Sequence, residues 1–469
     1  MAQENLVDLE RNEAGISAVL GILKQRFGEK FKTSSSLRQQ HSHTTTYLRS
    51  QLPDGVVWPQ TTQEVSEIVK ICAQHKVPVI PFGTGTSLEG GVNAPAGGIS
   101  IDLQEMDAIL SVNAEDLDVR VEAGVTREAL NEYLRDQGLF FPVDPGANAS
   151  LGGMASTRAS GTNAVRYGTM RDNVISVTAV MADGRIIKTA NRARKSSSGY
   201  DLTRILVGSE GTLGIITELT LRLYGVPEAI AAGLCFFPTV EDACNATILA
   251  MQTGLGLARI ELMDADAVAS VNKYSKLDLP VKILLLLEFH GTHNGVREQQ
   301  AAFGEVAEEF GGSDFQWAEK TEDRTRLWAA RHNAYWALKA NVPDKDFLTT
   351  DVCVPISRLA ESVRLAQKDI KEAGLFGSIV GHVGDGNFHA AIAVDPNDAD
   401  EIAKVEAVAD KMVARALEMD GTCTGEHGIG QGKIGFSAIE HGDGIDFMRA
   451  IKSAWDPDSI MNPGKLFSQ

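Results

Sequence analysis

Apolar and polar positions follow two rhythms in the first half of the chain, and both helices and strands are predicted there. Segment 61–77 (TTQEVSEIVKICAQHKV) has apolar residues at helical spacing after a threonine, which predicts an amphipathic helix. The overlapping run VPVIPFG predicts a short buried strand that ends in a glycine-rich loop. Segment 175–190 predicts two strands joined at Asp183-Gly184, and the β-branched residues of 211–224 predict another strand.

The pattern changes near Val226, and the alternation of helices and strands beyond it predicts a second α+β domain. Segments 239–254 and 293–312 have the apolar spacing of amphipathic helices. Two predicted strands, ARIELM and KILLLLEF, lie in the same region. The remaining forty or so residues predict one helix, GIDFMRAIKSAWD, and a turn at Asn462.

The charge balance and the cysteines narrow the class of protein. Lys and Arg total 44 against 62 Asp and Glu, which gives a net charge of −18 and argues against a nucleic-acid partner. The five cysteines are scattered and form no C-x-x-C pair, as expected of reduced thiols in a cytoplasmic protein. We see no secretory signal and no apolar run long enough for a transmembrane segment, so we expect a cytoplasmic protein, with peripheral membrane contact left open.

The loop 81–91 (PFGTGTSLEGG) has the composition of a phosphate cradle. Its glycines allow tight turns that bring backbone N–H groups near an anion, and its hydroxyl side chains add donors. The dinucleotide pattern G-x-G-x-x-G fails because Leu88 occupies the third glycine position, and the Walker pattern fails at GIGQGKI because of Ile434. By itself, the loop is compatible with either a cofactor cradle or a plain surface turn.

Two further runs of small residues favour the cofactor cradle over the plain surface turn. They are the stretch from Pro142 to Thr169 and GSEGTLGIIT at 208–217. Together with the first loop, they would let a large cofactor be held through backbone groups from three places, although each run alone is compatible with ordinary loop chemistry.

The ordered runs PFGTGTSLEGG, VDPGANASLGGMASTRASGTNAVRYG and GSEGTLGIITELTL resemble the FAD domain of the vanillyl-alcohol oxidase (PCMH-type) superfamily. More closely, the chain from about residue 50 onward resembles the cytochrome-type D-lactate dehydrogenase group, whose relatives include D-2-hydroxyglutarate dehydrogenase and a glycolate oxidase subunit. The resemblance implies an α+β fold with a PCMH-type, two-subdomain FAD-binding domain in 1–225. It also implies an α+β, ferredoxin-like substrate cap in 226–430 and a C-terminal segment, 431–469, that packs back near the flavin.

The resemblance also implies which residues hold FAD. The loop has no histidine of the kind that carries covalent FAD in some members, so FAD is expected to be non-covalent. The expected FAD-binding residues lie in the three runs and in the C-terminal turn: Pro81, Gly83, Thr84, Gly85, Thr86, Ser87, Leu88, Pro145, Gly146, Ser150, Gly152, Gly153, Ser156, Gly161, Asn163, Tyr167, Gly168, Glu210, Gly211, Gly214, Ile216 and Asn462.

The stretch GHVGDGNFH at 381–389 predicts a pair of convergent histidines. If Asp385-Gly386 forms a two-residue turn between strand-like flanks, His382 stands directly opposite His389 on one face. Directly opposed Cβ atoms lie about 4.5–5.5 Å apart, so two imidazoles could bind one ion. The alternative is one histidine in a core and the other exposed.

A second polar stretch, GTCTGEHGIG at 421–430, places Glu426 beside His427, and adjacent residues of an extended segment point in opposite directions. Spacing alone favours a polar loop here. The resemblance implies that His382, His389 and Glu426 bind a divalent metal, Zn or Mn, and that His427 is the general base. Two histidines and a carboxylate with an open position also suit Fe²⁺.

Residues near the middle of the second domain are candidates for substrate binding. Arg331 could bind a carboxylate bidentately, although a helical arginine is more often solvated. The resemblance of its segment to the family favours the binding role. Asn387, Tyr335 and Trp336 are further substrate candidates, the two aromatic residues as an apolar wall.

The resemblance implies an FAD- and metal-dependent dehydrogenase that oxidises a small D-2-hydroxy acid, D-lactate to pyruvate in first place. The alternatives within the family are D-2-hydroxyglutarate and glycolate. A metal-dependent hydrolase and a flavin-free binding subunit are the alternatives from other classes. With no NAD pattern in the chain, the expected electron acceptor is cytochrome c, a quinone or an electron-transfer flavoprotein, and a homodimer is possible.

Overall fold

The computed structural model describes residues 8–44 and 46–467. Its strands are β1 (Phe31–Lys32), β2 (Gly55–Val57), β3 (Val79–Phe82), β4 (Ile99–Asp102), β5 (Ile109–Asn113), β6 (Asp118–Glu122), β7 (Leu139–Phe140), β8 (Val174–Val180), β9 (Ile186–Lys188), β10 (Ile215–Arg222), β11 (Tyr224–Gly225), β12 (Ala229–Phe237), β13 (Leu257–Met263), β14 (Ile283–Gly291), β15 (Ser313–Ala318), β16 (Asp346–Thr349), β17 (Val352–Cys353), β18 (Gly377–Gly381) and β19 (Asn387–Val394). Its α-helices are α1 (Glu13–Phe27), α2 (Ser35–Gln40), α3 (Thr62–Gln74), α4 (Arg127–Leu134), α5 (Leu151–Thr157), α6 (Ala164–Tyr167), α7 (Met170–Asn173), α8 (Leu202–Leu206), α9 (Val240–Gln252), α10 (Ala265–Ser275), α11 (His293–Glu309), α12 (Thr321–His332), α13 (Ala334–Asn341), α14 (Leu359–Glu372), α15 (Ala399–Glu418), α16 (Ile434–His441) and α17 (Gly444–Trp455).

Contacts divide the chain into two compact units. Unit 1 comprises residues up to Ser160, then Thr169–Gly225 and the C-terminal part from Glu426, whereas unit 2 comprises Gly161–Gly168 and Val226–Gly425. The chain leaves unit 2 after Gly425, five residues before the end expected for the second domain. An eight-residue piece of the second glycine-rich run also belongs to unit 2.

Unit 1 is built on two sheets. A four-stranded sheet has the order β1-β2-β4-β3, with β2, β4 and β3 parallel, and a five-stranded antiparallel sheet has the order β5-β6-β10-β8-β9. The predicted helix 61–77 is confirmed as α3, whose first turn is capped by Thr61 Oγ1 accepting from the N–H of Glu64 at 3.1 Å. The predicted strand after it is confirmed as β3, which is parallel to buried β4 and therefore sends its loop out at their common end.

The C-terminal part of unit 1 returns to β3. The N–H of Val79 donates to Ile460 O at 2.8 Å, and the N–H of Asn462 donates to Val79 O at 2.9 Å. The predicted helix in this segment is confirmed as α17, but α16 before it was missed. Glycines at 432 and 435 weaken the helical signal there, because glycine has a low helix propensity.

Unit 2 contains a ferredoxin-like sheet. Its first four strands have the antiparallel order β15-β12-β14-β13 with α9 and α11 in the connections, and β18, β19 and β16 extend the sheet beyond β13. The predicted helices α9 and α11 and the predicted strands β13 and β14 are confirmed. Since β14 is buried along nearly its whole length, its apolar run needs no alternation.

The histidine hairpin forms, but its predicted register was wrong. Val380 rather than His382 pairs with His389, and the turn occupies residues 383–386. A two-residue type I′ turn requires φ > 0 at both central residues, whereas in this turn only Gly386 has a positive φ, of 78°. A two-residue shift leaves every side chain on its predicted face, because side chains alternate with a period of two.

The hairpin at Asp183-Gly184 forms as well, with a longer loop than the dipeptide. Val180 pairs with Ile186, so residues 181–185 connect the two strands. Gly184 takes a φ of 78°, which is where the turn needs a glycine.

In the described ranges, no helix has both the length and the apolar character needed to cross a bilayer.

Candidate functional site

The loop after β3 in unit 1 has open backbone donors. Within the described residues, none of the N–H groups of 83–88 donates a hydrogen bond to another protein group. Gly85 is in the left-handed region with a φ of 68°, which lets the backbone turn tightly. Such a series of open N–H groups fits an anion such as a pyrophosphate.

The first glycine-rich run meets the second, and the second meets the third. A Cβ at Gly83 would lie 2.2 Å from Ser150 Oγ, so the two segments approach so closely that a larger residue would require the Ser150 hydroxyl to move. The N–H of Glu210 donates to Ser156 O at 2.9 Å. The runs that are far apart in sequence therefore form one region of unit 1.

The third run also reaches the first, and the C-terminal turn joins them. A Cβ at Gly211 would lie 2.4 Å from Pro81 Cγ. Asn462 Nδ2 donates to Glu210 O at 2.7 Å and to Gly91 O at 3.1 Å, while its buried Oδ1 accepts no hydrogen bond from the described residues. An open buried acceptor costs about 1–3 kcal/mol. A flavin N–H would satisfy it, so the region fits the predicted cofactor.

The side chain of Glu210 has a structural role, because it binds backbone N–H groups of another segment. Its two oxygens accept from the N–H groups of Ile429, at 2.7 Å, and Gly430, at 2.8 Å. Burial raises the pKa of this carboxyl, and the two N–H donors act in the opposite direction. Glu210 thus anchors the segment that carries Glu426 and His427, both of which lie in unit 1 outside regular structure.

The close approach of Gly83 and Ser150 yields a test of the cradle. We expect Gly83→Ala to weaken FAD binding, because the new methyl group would collide with Ser150 Oγ and displace the loop. Adding Ser150→Ala removes that oxygen and leaves Ser150 Cβ at 3.3 Å, so the double variant should recover much of the affinity. FAD affinity is measured by fluorescence titration, with Ser150→Ala alone as the control. Equal affinity of Gly83→Ala and wild type would contradict the cradle.

The other FAD candidates divide between the units. Those in unit 1 outside the contacts above are Thr84, Thr86, Ser87, Leu88, Pro145, Gly146, Gly152, Gly153, Gly214 and Ile216. Gly161, Asn163, Tyr167 and Gly168 belong to unit 2.

In unit 2, Asn163 and Tyr167 join a buried polar network that the sequence analysis missed. Asn163 Oδ1 accepts from Arg259 Nε at 2.8 Å, and Tyr167 Oη lies 2.8 Å from His290 Nδ1. His290 Nε2 lies 2.8 Å from a carboxylate oxygen of Glu288, a residue that is 5% exposed. We call Arg259, Glu288, His290 and Trp328 the Glu288 network; Trp328 Nε1 donates to Glu288 at 2.8 Å.

The two predicted metal histidines of unit 2 come together. The ring centroids of His382 and His389 are 5.3 Å apart, and one ring nitrogen of each lies within 4.8 Å of the other. His382 Nδ1 lies 2.6 Å from a Glu261 oxygen, and His389 Nδ1 lies 3.1 Å from Thr350 O. Acceptors at both Nδ1 atoms favour a hydrogen there, so in the neutral form of each ring Nε2 carries the lone pair. This arrangement is usual for metal-binding histidines.

Two further groups lie beside these histidines. Asp351, fully buried, has one oxygen 3.7 Å from His389 Nδ1 and accepts from Asn387 Nδ2 at 2.8 Å. Asn387 Nδ2 also donates to Val352 O at 2.9 Å, whereas its buried Oδ1 has no partner among the described residues. The amide is thus held with its oxygen open to a cation or a hydroxyl group. Asp351 was missed, since TTDVCV gives no spacing signal.

Arg331 lies on α12 and is linked to the histidine pair by one carboxylate. Its Nε donates to Glu261 Oε2 at 2.8 Å, and Glu261 Oε1 lies 2.6 Å from His382 Nδ1. Burial alone would raise the pKa of Glu261, but the charges of His382 and Arg331 hold it below its ordinary value. Glu261 is 0% exposed on its side chain, whereas Arg331 is 15% exposed.

The aromatic substrate candidates lie in different surroundings. Tyr335 packs against Phe347 in a small core cluster with a ring distance of 5.8 Å, and Trp336 is 56% exposed. By contrast, Trp328 lies one helical turn from Arg331 on α12 and is buried, with the Arg259 guanidinium 4.9 Å from its ring centroid. Trp328 is therefore an aromatic residue that borders the buried polar groups of unit 2.

Comparisons with known proteins identify the fold and the family of the chain. Residues 53–190 match the "FAD binding domain" family model, and residues 226–466 match "FAD linked oxidases, C-terminal domain". Among solved structures, 4-ethylphenol oxidase from Gulosibacter chungangensis has a TM-score of 0.79 at 14% identity, with 98% of each chain covered. p-Cresol methylhydroxylase also has a TM-score of 0.79, at 17% identity with 97% of each chain covered. The fold is therefore that of the PCMH-type flavoprotein oxidoreductases.

Similarity to curated proteins narrows the class. A protein of Danio rerio named "Probable D-lactate dehydrogenase, mitochondrial" is 48% identical over 97% of this chain and 92% of its own length. The "D-lactate dehydrogenase [cytochrome], mitochondrial" of Arabidopsis thaliana is 47% identical over 88% of this chain and 73% of its own. A glycolate oxidase subunit of Bacillus subtilis is 33% identical over 94% of both chains. The chain belongs to the FAD-linked oxidase family that contains the cytochrome-type D-lactate dehydrogenases.

Proposed function

We propose that this enzyme oxidises D-lactate to pyruvate with FAD, with the help of a divalent metal, and passes the electrons to a cytochrome. The observation that carries the proposal is the buried histidine pair of unit 2, whose Nδ1 atoms lie against a Glu261 oxygen and Thr350 O. The relatives with the highest identities quoted above carry D-lactate dehydrogenase in their names, which supports the substrate.

Arg331 is proposed to bind the substrate carboxylate. Its Nε is bound to Glu261, so the guanidinium is oriented while its two terminal nitrogens stay available for a planar, bidentate contact. The orientation by Glu261 reduces the side-chain entropy that binding would otherwise remove. Asn387 Oδ1 is proposed to accept from the substrate hydroxyl or to bind the metal.

His382, His389 and Glu426 are proposed to hold the metal. A Cβ at Gly425 would lie 2.3 Å from Asn387 Nδ2 and 3.0 Å from Asp351 Oδ1, and Glu426 is the next residue in the chain. The donor set of two imidazoles and a carboxylate suits Zn²⁺ or Mn²⁺. When bound, such a cation supplies a Lewis acid that favours the deprotonated form of a hydroxyl group.

His427 is proposed to take the hydroxyl proton. An imidazole serves this purpose because its ordinary pKa is near neutrality, where a base can both accept and release a proton. Glu210 holds the following backbone, so His427 stands on an anchored segment rather than a free loop. FAD, when bound, supplies the acceptor for the hydride that leaves the substrate Cα.

The electron acceptor and the cellular location rest on different arguments. The name of the Arabidopsis relative gives a cytochrome as acceptor, and we propose a cytochrome here, ahead of a quinone or an electron-transfer flavoprotein. The cytoplasmic location predicted from the sequence stays a prediction, since the names of both eukaryotic relatives place them in mitochondria. A homodimer also stays a prediction.

The first test is the visible spectrum of the purified protein before and after anaerobic addition of substrate. We expect flavin absorbance that bleaches with D-lactate and persists with L-lactate, which is the matched stereochemical control. Bleaching by glycolate or D-2-hydroxyglutarate but not by D-lactate would reassign the substrate within the family. A protein that takes up no added FAD would overturn the proposal and return attention to a metal-dependent hydrolase.

A further inference from the structure

Glu261 joins two groups that the proposed function uses separately. It lies on β13, and its two oxygens face different elements: His382 at the end of β18 at 2.6 Å, and Arg331 on α12 at 2.8 Å. One carboxylate thus contacts a candidate metal ligand and the candidate substrate anchor.

The charges around Glu261 require both contacts. A fully buried carboxylate without partners is costly, and removing one partner from a buried ion pair is strongly destabilising. The guanidinium of Arg331 balances the negative charge of Glu261.

We propose that Glu261 is a shared positioning residue that fixes the ring tautomer of His382 and the orientation of Arg331. It rests on the proposed function, because it assigns Glu261 the task of preparing that site for both metal and substrate. Glu261 itself touches neither. By accepting the Nδ1 hydrogen, it favours the tautomer of His382 in which Nε2 can bind a cation.

Glutamine is the sharpest substitution because it keeps the shape of Glu261 and changes one acceptor into a donor. Both partners donate to Glu261, so in Glu261→Gln one of them meets an N–H₂ group. If His382 meets it, the imidazole turns to the other tautomer and Nε2 carries the hydrogen. If Arg331 meets it, the guanidinium loses its anchor.

The matched control is Glu288→Gln. Glu288 is a second buried carboxylate on the neighbouring strand β14, and it too contacts a histidine, His290 at 2.8 Å. It touches neither His382 nor Arg331 in the described chain. A general loss of stability would affect both variants, whereas a loss of positioning would affect only Glu261→Gln.

The experiment is a competitive chelator titration of the metal-free protein with Zn²⁺ and with Mn²⁺, in the absence of substrate. We expect Glu261→Gln to bind metal about 10–100-fold more weakly than wild type, as found for outer-shell partners of metal ligands. Glu288→Gln should bind metal as wild type does. Steady-state kinetics on the metal-saturated enzymes should show a raised KM for D-lactate in Glu261→Gln only.

A second measurement does not depend on the variant folding. In the Zn²⁺-loaded wild type, ¹⁵N spectra of labelled histidines should show His382 with Nδ1 protonated and Nε2 as the metal-binding nitrogen, assigned with His382→Gln. The opposite tautomer would overturn the inference, as would a Glu261→Gln enzyme with both wild-type metal affinity and a wild-type KM for D-lactate. If the wild type binds neither ion, the metal assignment of the proposed function fails, and this inference fails with it.

Discussion

His427→Ala is expected to abolish reduction of the flavin by D-lactate while FAD remains bound. Removal of a positioned general base costs about 10²–10⁴-fold in rate. FAD should be retained because the glycine-rich runs that fit it, around Gly83 and Glu210, do not include His427. The measurement is the anaerobic rate of flavin bleaching after rapid mixing with D-lactate, together with the flavin-to-protein ratio from the absorbance spectrum.

The control for this prediction is His441→Ala, which removes the histidine at the end of α16 in the same C-terminal segment. It should bleach at the wild-type rate. A His427→Ala enzyme that is reduced as fast as wild type would remove His427 from the role of base. A variant that purifies without FAD would mean that the side chain supports the flavin site instead.

His389→Ala is expected to eliminate both metal binding and turnover. His389 Nδ1 donates to Thr350 O, so Nε2 is the nitrogen that the ring presents. Changing an outer-shell partner of a metal ligand lowers metal affinity about 10–100-fold, and deletion of the ligand itself should lower it at least as much. Metal content is measured by mass spectrometry of the purified protein, and turnover by reduction of cytochrome c. Chelator treatment of the wild type should reproduce the loss, and added Zn²⁺ or Mn²⁺ should reverse it.

The matched control is His290→Ala, which deletes another buried histidine of unit 2. His290 is 5% exposed and His389 is 6% exposed, but His290 nitrogens contact Tyr167 and Glu288. Its deletion should lower stability and leave the metal content unchanged. An active, metal-free His389→Ala enzyme would exclude the proposed metal site.

The histidine pair illustrates what a short motif can predict. The face of His382 and His389 followed from the alternation of side chains, and it survived a two-residue error in register. The rule for a two-residue turn did not predict the register, because the turn has four residues and only Gly386 among them is in the left-handed region. The face that a side chain occupies follows from the alternation along the strand, whereas the geometry of the turn depends on what packs against the loop.

The carboxylates that contact His382 and His290 lie in strands that were predicted from their apolar residues. Glu261 in ARIELM and Glu288 in KILLLLEF each lie among the apolar residues of a buried strand. Since an unpaired buried charge is costly, such an acid signals a partner elsewhere in the fold. The sequence does not name the partner, and the structure identifies His382 and Arg331 for one acid and His290 with Trp328 for the other.

The sequence by itself determined the helices and strands with strong periodicity, the three glycine-rich runs and the face of the histidine pair, and its resemblance to a known family indicated the class of fold. The periodic features depend on local spacing, and the glycine-rich runs reflect backbone conformations that few residue types tolerate. Only the tertiary structure decided that Gly83 lies against Ser150, that Glu210 anchors the segment after His427, and that Glu261 joins His382 to Arg331. Each of these contacts joins residues from distant parts of the chain, and their positions are set by how the sheets and helices pack rather than by spacing along the sequence.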